Sequence, residues 1–293
     1  MVTINAYLDR ILEDFEEYLK ANVCLCKLKE VHFDAGRVPD YSDIHIQQLY
    51  LLRYAYAYAF EYKTIYQKIV KQLNPNSSLN VMSIGCGNMI DYWALAQNMS
   101  EDTVINYQGY DCIDWSYKIQ KREQDHVRLI LGDAMDAIDE MEKFTSDVII
   151  LPKSISEFSS SAIDRLCVNL RRKPIEPQVF YLVVSLRSDA HSRTLDMGKT
   201  QKIYDAILDA GYSSNQKKDC YFYLKYNDKK IRELDSCFQH PAAVVDLLPV
   251  LYTKCIKYKK NGKNCYDSCV QRLNRWPMLR CKDLQWQFFK FER

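Results

Sequence analysis

Apolar residues recur at intervals of three and four in the first part of the chain, which is the spacing of an amphipathic helix. The first such stretch predicts a helix over residues 4–22. Its apolar positions are Ile4, Tyr7, Leu8, Ile11, Leu12, Phe15, Tyr18 and Leu19. A second helix is predicted over 43–72, where a tyrosine row of Tyr50, Tyr54, Tyr58, Tyr62 and Tyr66 takes every fourth position. A step of four exceeds the 3.6-residue turn, so the row winds across a broad face, which is typical of core or lid packing.

From residue 79 onward, short apolar strands alternate with helical segments. Strands are predicted at 79–84, 104–110, 126–131, 146–151 and 178–186, and helices near 89–98, 114–122, 134–141, 156–171 and 198–210. Residues 220–226 and 285–293 are two further candidate strands. Such alternation predicts an α/β fold with a doubly wound, mostly parallel sheet.

This order of elements predicts four segments. An N-terminal helical cap covers 1–76, and a Rossmann-like core covers 77–226. Residues 227–283 form an insertion, and 284–293 return to the sheet as its last strand. The insertion therefore interrupts the core between its last two strands.

The composition favours a soluble protein with reduced thiols. A chain of 293 residues, 47% of them hydrophobic, can bury a core as one large domain with an accessory piece or as two small domains. No secretory leader is expected at its start, and its apolar runs are far shorter than the roughly 20 residues of a membrane helix. The eleven cysteines are an odd number spread along the chain, which suits a reducing cytosol. We therefore expect a cytoplasmic protein that does not bind a membrane.

The charge is unevenly distributed. Residues 251–293 hold 11 Lys and Arg against 3 Asp and Glu, whereas the first 250 residues hold 29 against 35. A basic region attached to an acidic body suggests a polyanionic partner such as nucleic acid. A solvated face of lysines is the other interpretation.

Residues 81–91 contain the most informative motif, in which an apolar strand runs into the turn Gly85-Cys86-Gly87 and a helix follows. Glycine allows a tight turn at the strand's carboxyl end and leaves no Cβ between the backbone amides and a ligand. The chain has eight glycines, and Gly85, Gly87, Gly109 and Gly132 fall at or near the ends of predicted strands. The motif is typical of a nucleotide-like ligand site.

Two carboxylates follow the next predicted strands. Asp111 ends the second strand, 24 residues after Gly87, where a carboxylate can accept both hydroxyls of a ribose. Asp133 ends the third strand, where it can accept from an exocyclic adenine amine. The alternative is that both residues cap the helices that follow them.

These segments resemble the class I S-adenosylmethionine-dependent methyltransferases. Residues 83–87 are similar to the family's glycine motif, 107–111 to its ribose-binding acid and 132–134 to its adenine contact. The resemblance covers roughly residues 79–226 and the last strand, and it implies a seven-stranded sheet whose final strand is antiparallel. It also implies S-adenosylmethionine as the cofactor and methyl transfer as the activity. The residues expected to bind that cofactor are Ser83, Gly85, Cys86, Gly87, Asp91, Asp111, Cys112, Asp133, Ala134, Leu151 and Tyr58.

The motif departs from the family pattern at two places. Ser83 stands where the family often has an acid, so contact with the methionine amine falls either to Asp91 or to a backbone carbonyl. A third glycine is replaced by Met89 or Ile90, which counts against a dinucleotide and its pyrophosphate.

The exit of the fourth strand is where the family places residues that face the methyl acceptor. Here it reads Leu151-Pro152-Lys153-Ser154, which is not the Asn/Asp-Pro-Pro-Tyr/Phe sequence of enzymes that methylate exocyclic base amines. Glu157 is the candidate base, with Lys153 and Ser154 as positioning groups. The alternative is that Ser154 and Glu157 only open the next helix.

The insertion contains two further patterns. Four cysteines at irregular spacing, Cys255, Cys265, Cys269 and Cys281, are candidate zinc ligands, with unliganded thiols as the alternative. Aromatic residues also lie among cations, an arrangement that can stack on unpaired bases while the cations meet phosphates. These residues are Tyr258, Tyr266, Trp276 and Trp286 with Lys257, Lys259, Lys260, Lys263, Arg272, Arg275 and Arg280. RNA or single-stranded nucleic acid is therefore the expected acceptor.

Two other functional classes remain open. A nicotinamide-dependent oxidoreductase would bind NAD(H) and not S-adenosylhomocysteine. A catalytically silent binding module would keep the fold, and with it cofactor affinity, without turnover.

Overall fold

The computed structural model describes residues 3–21, 23–31, 39–73, 77–225, 241–261, 267–278 and 283–293. They form two compact units, each built from several stretches of the chain. The helical unit contains the described residues up to 61, residues 115–120 and the described residues between 241 and 278. The sheet unit contains the described residues of 62–114, 121–225 and 283–293.

The sheet unit is built on a seven-stranded sheet in the order β3-β2-β1-β4-β5-β7-β6. The strands are β1 Ser78–Ile84, β2 Val104–Asp111, β3 His126–Leu131, β4 Val148–Leu151, β5 Val179–Leu186, β6 Phe222–Lys225 and β7 Asp283–Glu292. Strands β1 to β5 pair in parallel, and β7 is antiparallel to both β5 and β6. This confirms the α/β fold and the antiparallel last strand that the sequence predicts.

Helices pack on this sheet through apolar stripes. Those of the sheet unit are α3 Ile90–Asn98, α4 Ala134–Glu140, α5 Ser160–Arg172 and α6 Ala190–Asp209. In α5 the buried residues Ile163, Leu166 and Leu170 recur at three and four and join a core cluster with Phe289 and Phe291. The last strand is therefore part of the main core.

Helix α6 begins eight residues before the predicted position of 198. Asp189 caps it by accepting a hydrogen bond from the backbone N–H of Ser192 at 2.8 Å. The first turns of α6 are mostly polar and carry no apolar stripe, so hydrophobic periodicity does not reveal them.

The helix predicted over 114–122 is wrong. The described chain has no helix between β2 and β3. Trp115, Tyr117 and Ile119 are buried while the residues between them are exposed. Burial at every second residue belongs to extended backbone, and these three side chains belong to the helical unit.

The helical unit combines the N-terminal helices with part of the insertion. Its α-helices are α1 Ile4–Lys20, α2 Ile44–Leu73 up to residue 61, α7 Ala242–Leu247, α8 Ile256–Asn261 and α9 Asp267–Leu273. Two 3-10 helices, Leu25–Glu30 and Leu248–Lys254, also belong to it. The Ile256 N–H donates to the Val23 carbonyl at 3.1 Å, and the Leu25 N–H donates to Cys255 Sγ at 3.4 Å. The described part of the insertion is thus integrated with the start of the chain.

Within the described residues, every helix is either too short or too polar to span a bilayer.

Candidate functional site

The glycine turn follows β1 as expected, and its two glycines have different roles. Both have positive φ, +73° at Gly85 and +56° at Gly87. A Cβ on Gly85 would lie 2.4 Å from Ser154 Cβ, whereas nothing lies within 4 Å of a Cβ on Gly87. Gly85 therefore permits close packing inside the protein, and Gly87 leaves open space beside the turn.

Asp111 is held against this turn. One carboxylate oxygen accepts from the Gly87 N–H at 2.7 Å, and the other accepts from the Ile113 N–H at 2.8 Å. The Tyr110 carbonyl accepts from the N–H groups of Gly85 and Cys86 at 2.8 and 3.1 Å. The end of β2 and the glycine turn thus form one hydrogen-bonded assembly. A carboxylate offers about four acceptor positions, and these two amides occupy one on each oxygen.

A buried polar cluster lies next to the turn. Ser83 donates to Asp91 at 2.6 Å, and the Tyr107 hydroxyl donates to both Asp91 oxygens at 2.9 and 3.0 Å. Asp91 is 1% exposed, and burial raises its pKa to about 6 despite these hydrogen bonds. A carboxylate from α3 thus contacts the serine of β1 in this cluster.

Sequence reasoning missed Tyr107 and the backbone of Met89. Tyr107 lies in the recognised β2 segment, but only the packing of strand against helix shows that its hydroxyl reaches Asp91. Met89 precedes α3 with φ of +70°, a conformation that favours glycine. The missing third glycine thus leaves a methionine in left-handed backbone.

The other predicted carboxylates lie in the same electrostatic environment. Burial raises the pKa of the Cys112 thiol, and the charges of Asp111, Glu157 and Asp133 raise it further. Burial also raises the pKa of Glu157, with Asp111 raising it and Arg187 opposing the rise. Arg187 is itself paired with Asp196 at 2.7 Å. The end of β2 and the exit of β4 therefore form a region with an excess of acidic groups.

Asp133 caps helix α4, which was the alternative to its interpretation as an adenine-binding residue. Its carboxylate accepts from the Met135 N–H at 2.7 Å at the start of α4, and its side chain is exposed. Ala134 and Leu151 are buried in the core cluster. Nothing lies within 4 Å of a Cβ on Gly132, so the end of β3 is also open.

The exit of β4 is a strained turn. Lys153 has φ of +58°, and the Ser154 hydroxyl donates to the Ile84 carbonyl. The Glu157 N–H donates to the Ser154 carbonyl at 2.9 Å. Helix α5 begins at Ser160 with Ser159 as its cap, so Ser154 and Glu157 do not open it and that alternative is wrong. Instead, Ser154 joins the end of β1 to this turn.

The cysteine pattern is described only in part. Cys255 and Cys269 are buried and line one small cavity of about 10 Å³ together with Cys26. Cys265 and Cys281 lie outside the described residues. Among the described residues, no group of three or more His, Cys, Asp or Glu side chains is placed to hold a metal ion. The zinc site stays a prediction.

The aromatic residues of the insertion differ in availability. Trp276 is 65% exposed, whereas Trp286 is 4% exposed in β7 and stacks on Phe222 with ring centroids 5.4 Å apart. The prediction that Trp286 stacks on a base is therefore wrong, because its ring is packed within the sheet. Tyr258 packs edge-on against Tyr252. Tyr266, Lys263 and Arg280 lie outside the described residues.

Tyr58 belongs to the tyrosine row on α2, in the helical unit. It is half-buried and stacks on Tyr54, with ring centroids 6.2 Å apart. Its place in a cofactor site stays a prediction.

Comparison with solved structures finds many chains with a similar fold, three of which illustrate the range. A SAM-dependent methyltransferase from Archaeoglobus fulgidus is 9% identical, covers 79% of this chain and 94% of its own, and has a TM-score of 0.38. The cyclopropane synthase MmaA2 from Mycobacterium tuberculosis is 11% identical, covers 92% and 94%, and has a TM-score of 0.41. The similarity to MNMC2 from Aquifex aeolicus covers about half of each chain, 52% and 54%, at 14% identity and a TM-score of 0.33. No protein-family model and no curated protein sequence matches the chain.

Proposed function

We propose that this protein is an S-adenosylmethionine-dependent methyltransferase. The observation that carries the proposal is the Asp111 carboxylate, which is fixed by the Gly87 and Ile113 amides beside the open space at Gly87. A ribose needs such a fixed acceptor at the end of β2, and the glycine leaves room for the rest of the nucleoside. The seven-stranded sheet places both features at the carboxyl ends of neighbouring parallel strands.

The charge of the site favours a cationic ligand. Asp111, Glu157 and Asp133 are close enough for each to raise the pKa of Cys112. A sulfonium or an ammonium group is attracted by such a site, whereas a pyrophosphate is repelled. This distribution supports S-adenosylmethionine over NAD(H).

Each predicted binding residue of the sheet unit has a role in this proposal. Asp111 accepts from the ribose, Asp133 accepts from the adenine amine, and Gly85, Cys86 and Gly87 bring backbone close to the ligand. Asp91 and Ser83 are buried and hydrogen-bonded to each other, so their role is to support the glycine turn from inside the protein. Cys112, Ala134 and Leu151 are further expected neighbours of the cofactor.

The cofactor supplies a methyl group on a sulfonium, which makes that carbon electrophilic. The protein then contributes mainly by aligning the acceptor and excluding water. Glu157 is the candidate base, because its raised pKa makes the carboxylate a better proton acceptor near neutral pH. Ser154 and Lys153 position the turn that carries it.

The test is calorimetric titration with S-adenosylhomocysteine. Asp111→Asn should weaken binding tenfold or more, since losing a hydrogen bond to a charged group costs roughly 1.5–3 kcal/mol. Asp111→Ala should weaken it further, and Asp164→Ala, an exposed acid paired with Lys202, is the matched control. Equal binding by wild type and Asp111→Asn would rule out the ribose assignment.

The same titration separates the alternatives. Tight binding of NADH without binding of S-adenosylhomocysteine would identify an oxidoreductase. Cofactor binding with no methyl transfer to nucleic acid or any other acceptor would identify a silent module.

Nucleic acid is the acceptor class that the helical unit favours. Among the described residues, Lys254, Lys257 and Lys260 are exposed and have no acidic partner. Trp276 exposes most of its ring in the same unit. Unpaired cations and an exposed indole are what a single strand requires for phosphate contact and base stacking.

This acceptor class is tested with a short single-stranded RNA at several salt concentrations. Affinity should fall steeply with salt, and the Lys257→Gln/Lys260→Gln variant should show a shallower slope. Trp276→Ala should weaken binding with the slope unchanged, because stacking releases no counterions. An affinity that does not change with salt would exclude phosphate contacts.

A further inference from the structure

Another cavity is lined by residues of β2, β3 and the segment that joins them. It is distinct from the candidate site, which lies at the carboxyl ends of the parallel strands. Its volume is about 370 Å³, and it is lined by Asn106, Tyr107, Gln108, Lys121, His126, Val127 and Arg128. This volume falls within the range of small-ligand sites.

The topology explains why this surface is open. The β2–β3 connection has no helix among the described residues, so no crossover helix covers this part of the sheet. The register pairs Asn106 with His126 and Gln108 with Arg128. Because alternate residues share a face, the two amides of β2 and the two basic residues of β3 form adjacent rows.

The cavity is positively charged. None of its lining residues is acidic. In the part of the chain that the structure describes, the side chains of Arg128 and His126 have no ion pair or hydrogen bond, and the Lys121 ammonium donates to the Asp125 carbonyl at 2.8 Å. The nearby Asp125 carboxylate is buried and paired with Arg122 at 2.8 Å. Arg128 and Lys121 therefore keep donors for an anion, and a guanidinium suits phosphate in particular.

The two amides are complementary in their remaining hydrogen-bonding groups. The Gln108 Oε1 accepts from the Tyr110 hydroxyl at 3.1 Å, which leaves its Nε2 as a donor. The Asn106 Nδ2 donates to Asn80 Oδ1 at 2.9 Å, which leaves its own Oδ1 as an acceptor. A donor and an acceptor about 7 Å apart along one strand match the mixed polar edge of a nucleobase.

We propose that this cavity binds a nucleoside phosphate. Arg128 and Lys121 bind the phosphate, and Gln108 and Asn106 bind the base. The ligand is either a free nucleotide or one nucleotide of a strand, because both present the same groups. The proposal is independent of the methyltransferase assignment, since Arg128, Lys121, Gln108 and Asn106 include none of the residues assigned to the cofactor.

The test is titration of the full chain with GMP, UMP and inorganic phosphate, which avoid the adenosine that the candidate cofactor site would take. Wild type should bind at least one nucleotide tenfold more tightly than phosphate. Arg128→Gln should weaken that binding tenfold or more, and Gln108→Leu should reduce the preference between bases. The matched control is Lys143→Gln, an exposed lysine of the same unit that pairs with Glu176.

Titration with a short oligonucleotide that lacks adenosine distinguishes a free nucleotide from one nucleotide of a strand. Binding of the oligonucleotide that Arg128→Gln abolishes, with weak binding of mononucleotides, would assign the cavity to a strand. Binding of S-adenosylhomocysteine should be the same in Arg128→Gln and wild type. The proposal is overturned if no nucleotide or oligonucleotide binds, if phosphate binds as tightly as both the nucleotides and the oligonucleotide, or if Arg128→Gln binds these ligands like wild type.

Discussion

At the scale of single residues, the candidate site depends on the backbone conformation of the glycine turn and on the burial of its polar groups, as well as on side-chain chemistry. The sequence identifies Gly85, Gly87 and Asp111 because few residue types can make that turn and its carboxylate contact. It does not show that Asp91 contacts Ser83, since that hydrogen bond joins a strand to the helix that follows it.

Gly85→Ala should destabilise the protein. Its φ of +73° is strained for alanine, and the new Cβ would meet Ser154 Cβ at 2.4 Å. We expect a loss of at least about 2 kcal/mol in the free energy of unfolding, measured by urea denaturation. The matched change Gly198→Ala in α6, where nothing lies within 4 Å, should instead stabilise by about 0.5–1 kcal/mol. Equal effects at the two positions would contradict the geometry of the turn.

Asp91 should make stability depend on pH. Burial raises its pKa in the folded state to about 6, whereas an ordinary aspartate titrates at 3.8, so the folded state binds the proton more tightly than the unfolded state does. The carboxylate is thus increasingly destabilising as pH rises from 4 to 6. Asp91→Asn removes this penalty.

The measurement is chemical denaturation of Asp91→Asn and wild type at pH 4, 5, 6 and 7. The stability of the variant relative to wild type should rise by on the order of 3 kcal/mol across that range. Asp164→Asn, an exposed residue, should follow wild type. Parallel curves for Asp91→Asn and wild type would show that the folded state does not shift this carboxyl.

At the scale of elements, the alternation of strands with helices and the apolar stripes of the helices are sufficient to predict the sheet. They are not sufficient to predict the connections between its strands. The sequence predicts all seven strands, β4 and β5 as apolar runs and β7 by its alternation of apolar and polar residues. The helix predicted for the β2–β3 connection is wrong, and Trp115, Tyr117 and Ile119 alternate there with polar residues. That alternation is a signal for extended structure, and it was available in the sequence.

Tyr117 fixes this extended connection within the helical unit. Its hydroxyl donates to Asp14 at 2.7 Å and accepts from Gln48 Nε2 at 2.7 Å. Tyr117→Phe would leave the buried Gln48 amide without this partner, whereas water can replace the hydroxyl at the exposed Asp14. We expect a loss of about 1–3 kcal/mol in the free energy of unfolding. Tyr223→Phe removes an exposed hydroxyl that donates to Asp283, and should change stability by less than about 0.5 kcal/mol. A similar small effect for both variants would mean that the Tyr117 contacts contribute little.

At the scale of the whole molecule, the division into units was beyond sequence reasoning. The helical unit brings together Leu25 and Cys255, which are 230 positions apart. Hydrophobic periodicity is local and does not report such pairings. The fold of the sheet unit can be predicted from the sequence because its motifs follow one another along the chain. The insertion offers only a basic charge and a set of cysteines, and neither predicts its contacts.

Arg53 is a buried group on which the helical unit depends. It is 1% exposed on α2, and it donates to the Val31 carbonyl at 3.0 Å and to the carbonyls of Arg272 and Leu273 at 3.0 and 3.4 Å. Burial lowers its pKa to about 10, so the guanidinium stays charged at neutral pH. Its donors link the end of a 3-10 helix and the end of α9 to α2.

Arg53→Met should therefore weaken the helical unit selectively. Three carbonyls would each lose a guanidinium donor, although the Leu273 carbonyl keeps the Arg275 N–H at 3.1 Å. We expect a cost of about 3 kcal/mol, while methionine retains much of the packing. Hydrogen exchange should accelerate in Leu25–Glu30 and α9, and should stay unchanged in β1, β4 and β5. Arg53→Lys should have an intermediate effect because an ammonium lacks the planar fork, and Lys20→Met, at an exposed ion pair, should have almost none. Uniform acceleration across both units would show that they unfold together. No acceleration in α9 would show that the two carbonyls at its end do not need Arg53.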